Sequence, residues 1–408
     1  MKGRRSLLFL LGVLVAICVL MAGPILVVKA SPAAGAYGAD FLRKIVGNQI
    51  VVAMETAMFK MEDSVRNLEY KLGLAPAASP WAVIPTTIPD PTITQAPYTL
   101  GNPTKTPFPI IPGTGSAALP TSIPTPTVPP VWMPPPVTPL GSLQGVAVWQ
   151  PFIQDPQGNT VAYRTFVQPD PSRPYALTGI VAFDLEKIRL HFVLGNSEPY
   201  APGVAKQGTG KIPAQYLVPG KLLAAFNGGF KYQHGNFGAM ADGFTSAPPK
   251  DGMGTLAIYQ DGQIRMGVWG QDINPSPDMV AFRQNGALVI QNGAITQAVS
   301  DSNSYWGYTV SKGTVTWRSG LAISQDGKTL YYFAGNYLNI NALSQAMMTI
   351  NPQTAMQLDI NNFWVHFTAF QDWNGKIVAQ ALFPKDMSSS LNRYLNPYSR
   401  DFFYITTP

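Results

Sequence analysis

Only one cysteine occurs in the 408 residues, Cys18, and it lies inside an N-terminal apolar run. No disulfide can form within the chain, and no zinc site can be built from thiolates. Charge is also scarce: Asp, Glu, Lys and Arg make up 12% of the residues, and the net charge of +6 includes Lys2, Arg4 and Arg5 at the extreme N-terminus. The other Lys and Arg residues are scattered and form no stripe, which argues against nucleic acid as a partner. Histidine appears three times, and no spacing of His, Asp or Glu demands a metal ion, so neither metal nor cofactor is expected. A domain without disulfides must be held by its apolar core, and a folded region of roughly 265 residues is large enough for that.

What the chain has in excess is proline, 38 residues concentrated in one stretch, and this divides it into four regions. Residues 1–30 hold an uncharged apolar run from Leu7 to Val28. As a helix it would extend roughly 33 Å, enough to cross a bilayer. Basic residues before it place the N-terminus in the cytoplasm and the rest of the chain outside. The expectation is a single-pass cell-membrane anchor; the rival is a signal peptide cleaved near Ala30, and both put the remaining chain outside.

Residues 31–75 read as a helical stem. Val51, Met54, Met58, Met61, Val65, Leu68 and Leu72 recur at spacings of three and four, with Gly73 suited to the helix end. That stripe fits self-association, packing against the folded domain, or lying on the bilayer. Residues 76–143 are rich in Pro and Thr; proline fixes φ and removes backbone donors, so this region is expected to be a disordered, extended spacer.

From 144 to 408 the texture changes to apolar segments broken by turn residues. Asp261-Gly262, Asn292-Gly293 and Asp326-Gly327 each separate two strand-like runs and read as hairpins with primed turns. A helix is expected near 341–350, followed by a buried strand over 355–359. The fold class read from this pattern is α+β, mostly antiparallel hairpins with few helices, preceded by the transmembrane helix, stem and spacer.

Four places in this domain carry chemistry. Asn227-Gly228-Gly229-Phe230-Lys231 ends a strand, with His234 and Asp242 close behind; two glycines let backbone approach a ligand. Arg283 and Asn285 flank Gln284. Arg318-Ser319-Gly320 leads into a hairpin. Asp359-Ile360-Asn361-Asn362-Phe363-Trp364-Val365-His366 follows the expected buried strand. Arginine binds phosphate in bidentate fashion, and a carboxylate with a histidine can perform acid–base work. Composition alone stops at an unassigned polar pocket.

In order and content these motifs resemble the phosphodiester glycosidase family over roughly residues 180–385. The closing motif, Asp359-Ile360-Asn361 with Trp364 downstream, is similar to that of a bacterial, membrane-tethered branch; the family's usual form is Asp-Gly-Gly followed by Ser. The resemblance implies an extracytoplasmic hydrolase that cleaves a sugar 1-phosphodiester in an envelope polysaccharide or its precursor. By motif it carries over Asn227, Arg318 and Asp359. Arg318 would hold the phosphate, Asp359 would serve the oxocarbenium-like transition state as stabiliser, base or nucleophile, and Asn227, with Gly228 and Gly229, would face the sugar. Chemistry and proximity add His234 and His366 as catalytic candidates, and Lys231, Asp242, Arg283, Asn285, Asn361 and Trp364 as binding candidates. The rival expectation is a non-catalytic module that binds or attaches envelope polymer. A third is a transferase.

Overall fold

The computed structural model describes residues 32–81, 132–301, 306, 314–387 and 391–408. These residues form mostly antiparallel sheet with few helices. An eight-stranded sheet runs in the order Gln150–Gln154, Thr160–Val167, Thr178–Asp184, Thr329–Leu338, Thr316–Ser324, Pro352–Ile360, Leu288–Gln291, Ala294–Ile295. A five-stranded sheet has the order Phe244–Ala247, Ala239–Ala241, Met279–Gln284, Gly254–Tyr259, Ile264–Val268. The third, also five-stranded, runs Lys376–Ala381, Phe367–Trp373, Leu222–Asn227, Phe402–Thr406, Arg189–Val193.

The expected antiparallel texture is present: among the described residues of the domain, helix is limited to Gln297–Ser300, Ile340–Met348 and short 3-10 turns. The expected transmembrane helix is corrected. Among the described residues no helix is long and apolar enough to cross a membrane. The two stem helices, Pro32–Val46 and Asn48–Lys71, cannot do so because they carry Asp40, Arg43 and Lys44, then Glu55, Lys60, Glu62, Asp63 and Arg66. The apolar run 7–28 and most of the Pro/Thr-rich region lie outside the described residues.

The large sheet is buried on both faces, which explains its near-continuous apolar strands. Tyr332 faces one side and packs on Phe226 at 4.9 Å and Phe367 at 5.1 Å, rings of the third sheet. On the other face Tyr331, Phe333 and Ala322 meet Leu343, Ala346 and Met347 of helix Ile340–Met348. Asn339 caps this helix by accepting a hydrogen bond from the Ala342 N–H. All three expected hairpins pair as antiparallel strands. Only Asn292-Gly293 places both turn residues at positive φ, 51° and 76°; at Asp261-Gly262 and Asp326-Gly327 the glycine alone does so, so neither is a type I′ turn.

The stem packs on the domain through Phe59, outside the expected stripe, and through Met58, within it. Phe59 joins Phe230, Phe237 and Ile360 in an apolar cluster, and Asp63 receives hydrogen bonds from Arg173 Nε at 2.9 Å and Nη2 at 2.8 Å. Of the stripe, Val51 is buried, while Met54, Met61, Val65, Leu68 and Leu72 stay exposed on the opposite face.

Candidate active site

Strand register assembles the site. Asn227, the last residue of its strand, pairs with Phe402, the first of an antiparallel neighbour. The residues after Asn227 therefore run beside those before Phe402. Gly228 N–H donates to the Asp401 carbonyl at 3.1 Å, Gly229 N–H donates to Asp401 Oδ2 at 3.1 Å, and Arg400 Nη2 donates to the Gly229 carbonyl at 2.7 Å. Glycine is required here: a Cβ on Gly228 would stand 2.1 Å from Asp401 Oδ2.

Two buried ion pairs cross this junction. Arg400 Nη2 lies 2.7 Å from Asp359 Oδ2, and Arg283 Nε lies 2.7 Å from Asp401 Oδ2. Asp359 Oδ1 accepts the Ile360 N–H at 2.8 Å. Burial pushes the Asp359 carboxyl up from its ordinary value, and Arg400 pulls it back. The Trp364 indole lies under both cations, 4.6 Å from the Arg400 guanidinium and 5.2 Å from Lys231 Nζ. Lys231 is buried, which lowers its pKa, as does the neighbouring Arg400; its ammonium is paired with Asp40 from the first stem helix. His234 is pushed down to about 3 by burial and then by Arg400 and Lys231, so it is neutral at ordinary pH. Arg400 Nε and Asp401 Oδ1 are buried and have no partner among the described residues.

The structure thus brings Asn227, Gly228, Gly229, Lys231, His234, Arg283, Asn285, Asp359 and Trp364 to one locality, but in different roles from those expected. Asn227 is saturated: Nδ2 donates to the Gly228 carbonyl and Ser319 Oγ, and Oδ1 accepts from Tyr332 OH and the His366 N–H. Asn285 accepts from the Phe230 N–H and donates to the Gln357 and Leu358 carbonyls. Arg283 Nη1 and Nη2 donate to the Gln284 and Phe230 carbonyls. These three side chains brace the glycine loop.

Arg318 departs furthest from expectation. It is fully buried, donates to the carbonyls of Leu338, Trp306 and Thr314 and to Gln357 Oε1, and has no carboxylate partner among the described residues. Burial alone lowers its pKa to about 9. A guanidinium committed to main-chain carbonyls is a structural tie, and Arg400 takes the place beside Asp359 that the motif reading gave to Arg318. The His366 ring bonds Thr368 Oγ1 at 3.1 Å, while its backbone N–H reaches Asn227. Asp242 sits exposed in the turn between Ala239–Ala241 and Phe244–Ala247, at φ 50°. Asn361, at φ 82°, accepts the Phe363 N–H and donates its own N–H to the Trp317 carbonyl.

Arg400 and Asp401 were missed. Their one signal in the sequence is a pair of adjacent opposite charges just before the last apolar strand, in a chain with 12% charged residues.

No protein-family model matches the chain, and no curated protein matches it. Among solved structures it is similar to the zebrafish N-acetylglucosamine-1-phosphodiester alpha-N-acetylglucosaminidase catalytic domain auto-inhibited by its pro-peptide, with TM-score 0.39 and 16% identity over 64% of this chain and 89% of that one. It is also similar to a hypothetical protein from Synechocystis (TM-score 0.32, 10% identity, 66% and 68% covered) and to a putative exported protein from Burkholderia pseudomallei (TM-score 0.30, 12% identity, 57% and 74% covered).

Proposed function

We propose that this protein hydrolyses the glycosidic bond of a sugar 1-phosphodiester. The observation that carries the reading is one buried carboxylate, Asp359, bonded to Arg400, whose guanidinium shares the Trp364 ring with the Lys231 ammonium. Two cations within 4.6 and 5.2 Å of one ring can serve as a seat for a phosphate, and a carboxylate paired with one of them suits the positive charge that develops at an anomeric carbon. Arg400 Nε and Asp401 Oδ1, buried and unpartnered among the described residues, supply one donor and one acceptor for a polar ligand.

In the proposed step, a water oxygen bonds to the anomeric carbon as the bond from that carbon to the phosphate oxygen breaks. The phosphomonoester leaves with the bonding electron pair, held by Lys231 and Arg400. Asp359 takes the water's proton. A phosphate leaves well without a strong acid, which agrees with His234 being held neutral. Asp40 stands where the phosphate would, and substrate competes with it for Lys231. A polymeric substrate outside the cytoplasm belongs to this proposal and is supported only by the spacer-like composition of residues 76–143.

The test is release of free sugar from the methyl phosphodiester of N-acetylglucosamine 1-phosphate. Wild type should turn over and Asp359→Asn should lose at least a hundredfold. Equal release by the two proteins would sink the reading, and binding without release by either would identify a polymer-binding module.

A further inference from the structure

Exposed apolar side chains are not spread evenly over the described residues. Of sixteen large hydrophobic residues that stand exposed, eleven fall between Phe41 and Leu74, on the two stem helices and their ends. On the second helix, Met54, Met61, Val65, Leu68 and Leu72 lie within an arc of about 60° at 3.6 residues per turn. Phe59, on another side of that helix, already meets the domain, so the arc is left facing away from it. A continuous apolar face of this kind marks a docking surface.

Charge on the stem is segregated in the same sense. Its carboxylates turn inward: Asp40 pairs with Arg43 and with Lys231 of the domain, Glu55 with Arg43 at 2.7 Å, and Asp63 with Arg173 at 2.8 Å. Glu62 is half-buried, and Glu69, the most exposed of the five, has Arg66 at 3.9 Å. Lys44, Lys60 and Lys71, by contrast, are exposed and join no ion pair among the described residues. Outward, the stem shows apolar side chains and lysines.

We infer that this outward face rests on a lipid bilayer bearing anionic headgroups, with the helices lying along the surface rather than across it. Apolar side chains enter the boundary of the acyl chains, and the lysine ammonium groups reach back to the headgroups on their flexible stems. A second copy of the chain fits less well. With the stripe as the a and d positions of a coiled coil, Ala57 and Ser64 fall at g and offer no charge, and Glu55, at e, is spent on Arg43. Two such faces would set lysines against lysines, whereas an anionic surface answers them. The uncharged apolar run over 7–28 ends three residues short of Pro32, so lipid in contact with that run lies next to the stem. The domain is then held about one helix diameter, roughly 10 Å, from the lipid. The inference is independent of the proposed hydrolysis.

The test follows lipid contact at a single position of the full chain. Cys18→Ser frees the thiol to be placed either at the outward face, as Leu68→Cys, or at an exposed hairpin turn of the domain, as Lys328→Cys. Each thiol carries a nitrobenzoxadiazole fluorophore, and the vesicles are phosphatidylcholine with or without phosphatidylserine, brominated on the acyl chains as quencher. With phosphatidylserine present, emission at 68 should fall at least twofold while emission at 328 stays unchanged. Lys60→Gln together with Lys71→Gln should remove at least half of that quenching at an unchanged melting temperature, and so should omitting phosphatidylserine. Residues 1–31 are the same in every labelled variant, so their own affinity for lipid is common to all. No quenching at 68, equal quenching at both positions, or quenching indifferent to the lysines and to headgroup charge would overturn the inference. Energy transfer between copies labelled at 68, without quenching by lipid, would overturn it too and assign the face to a second copy.

Discussion

Arg400 and Asp359 meet at 2.7 Å with both side chains buried, although 41 positions separate them in the chain. Removing one member of a buried ion pair strands the other charge, which typically costs about 3–5 kcal/mol, whereas replacing both with apolar groups is often near neutral. Arg400→Met should therefore destabilise the domain by about that amount in urea denaturation, and Arg400→Met with Asp359→Leu should recover most of it. Additive losses in the double variant would show that the pair does not act as a unit.

The acid limb of the pH–rate profile should report Asp359, which must be ionised to accept a proton. Burial raises its pKa above the ordinary 3.8 and Arg400 opposes that rise. Replacing Arg400 with Met should move the limb to higher pH in whatever activity remains. The stability linkage has the opposite sense. The folded state holds this proton more tightly than the unfolded chain, so the stabilisation is complete below pH 3.8 and is lost as pH rises through the raised value. Asp359→Asn should abolish that loss.

Gly228→Ala should disrupt the glycine loop, because the added methyl would stand 2.1 Å from Asp401 Oδ2 and 2.8 Å from the Asp401 carbonyl. Overpacking of this kind costs about 1–3 kcal/mol, and the contact falls on the Arg283–Asp401 pair. A lower melting temperature together with lost turnover is expected. Gly243→Ala, in an open turn where a Cβ meets nothing but φ is 75°, should destabilise the fold without changing turnover.

Asp40 and Lys231 set up a competition that kinetics can read. Asp40→Asn should lower KM for the phosphodiester with kcat unchanged, and Lys231→Met should raise KM at least tenfold. If Asp40→Asn left KM unaltered, the ammonium would not be the phosphate seat.

Much of the architecture was readable in advance. The turn dipeptides at 261–262, 292–293 and 326–327 mark three hairpins because glycine and asparagine tolerate backbone that other residues avoid. The run 355–359 reads as a buried strand because the sheet is covered on both faces. The stem's helices were visible from spacing, yet the stripe could not reveal which face meets the domain. Phe59 decides that, and its importance depends on Phe230 and Phe237, more than 170 residues away. The site was half legible. The Asn227–Gly229 loop and Asp359 stand out as motifs, but a motif cannot show whether a polar side chain is spent internally, and Asn227, Asn285, Arg283 and Arg318 all are.

By itself, the order of residues determined where strands and turns form and that a carboxylate would close the buried strand, since these follow from local backbone preference and apolar periodicity. Which cation answers that carboxylate was decided only by tertiary structure. The pairing of Asn227 with Phe402 carries Arg400 to Asp359 and leaves Arg318 tied to main-chain carbonyls. A charge finds its partner through register and burial, and neither is written in the spacing of a motif.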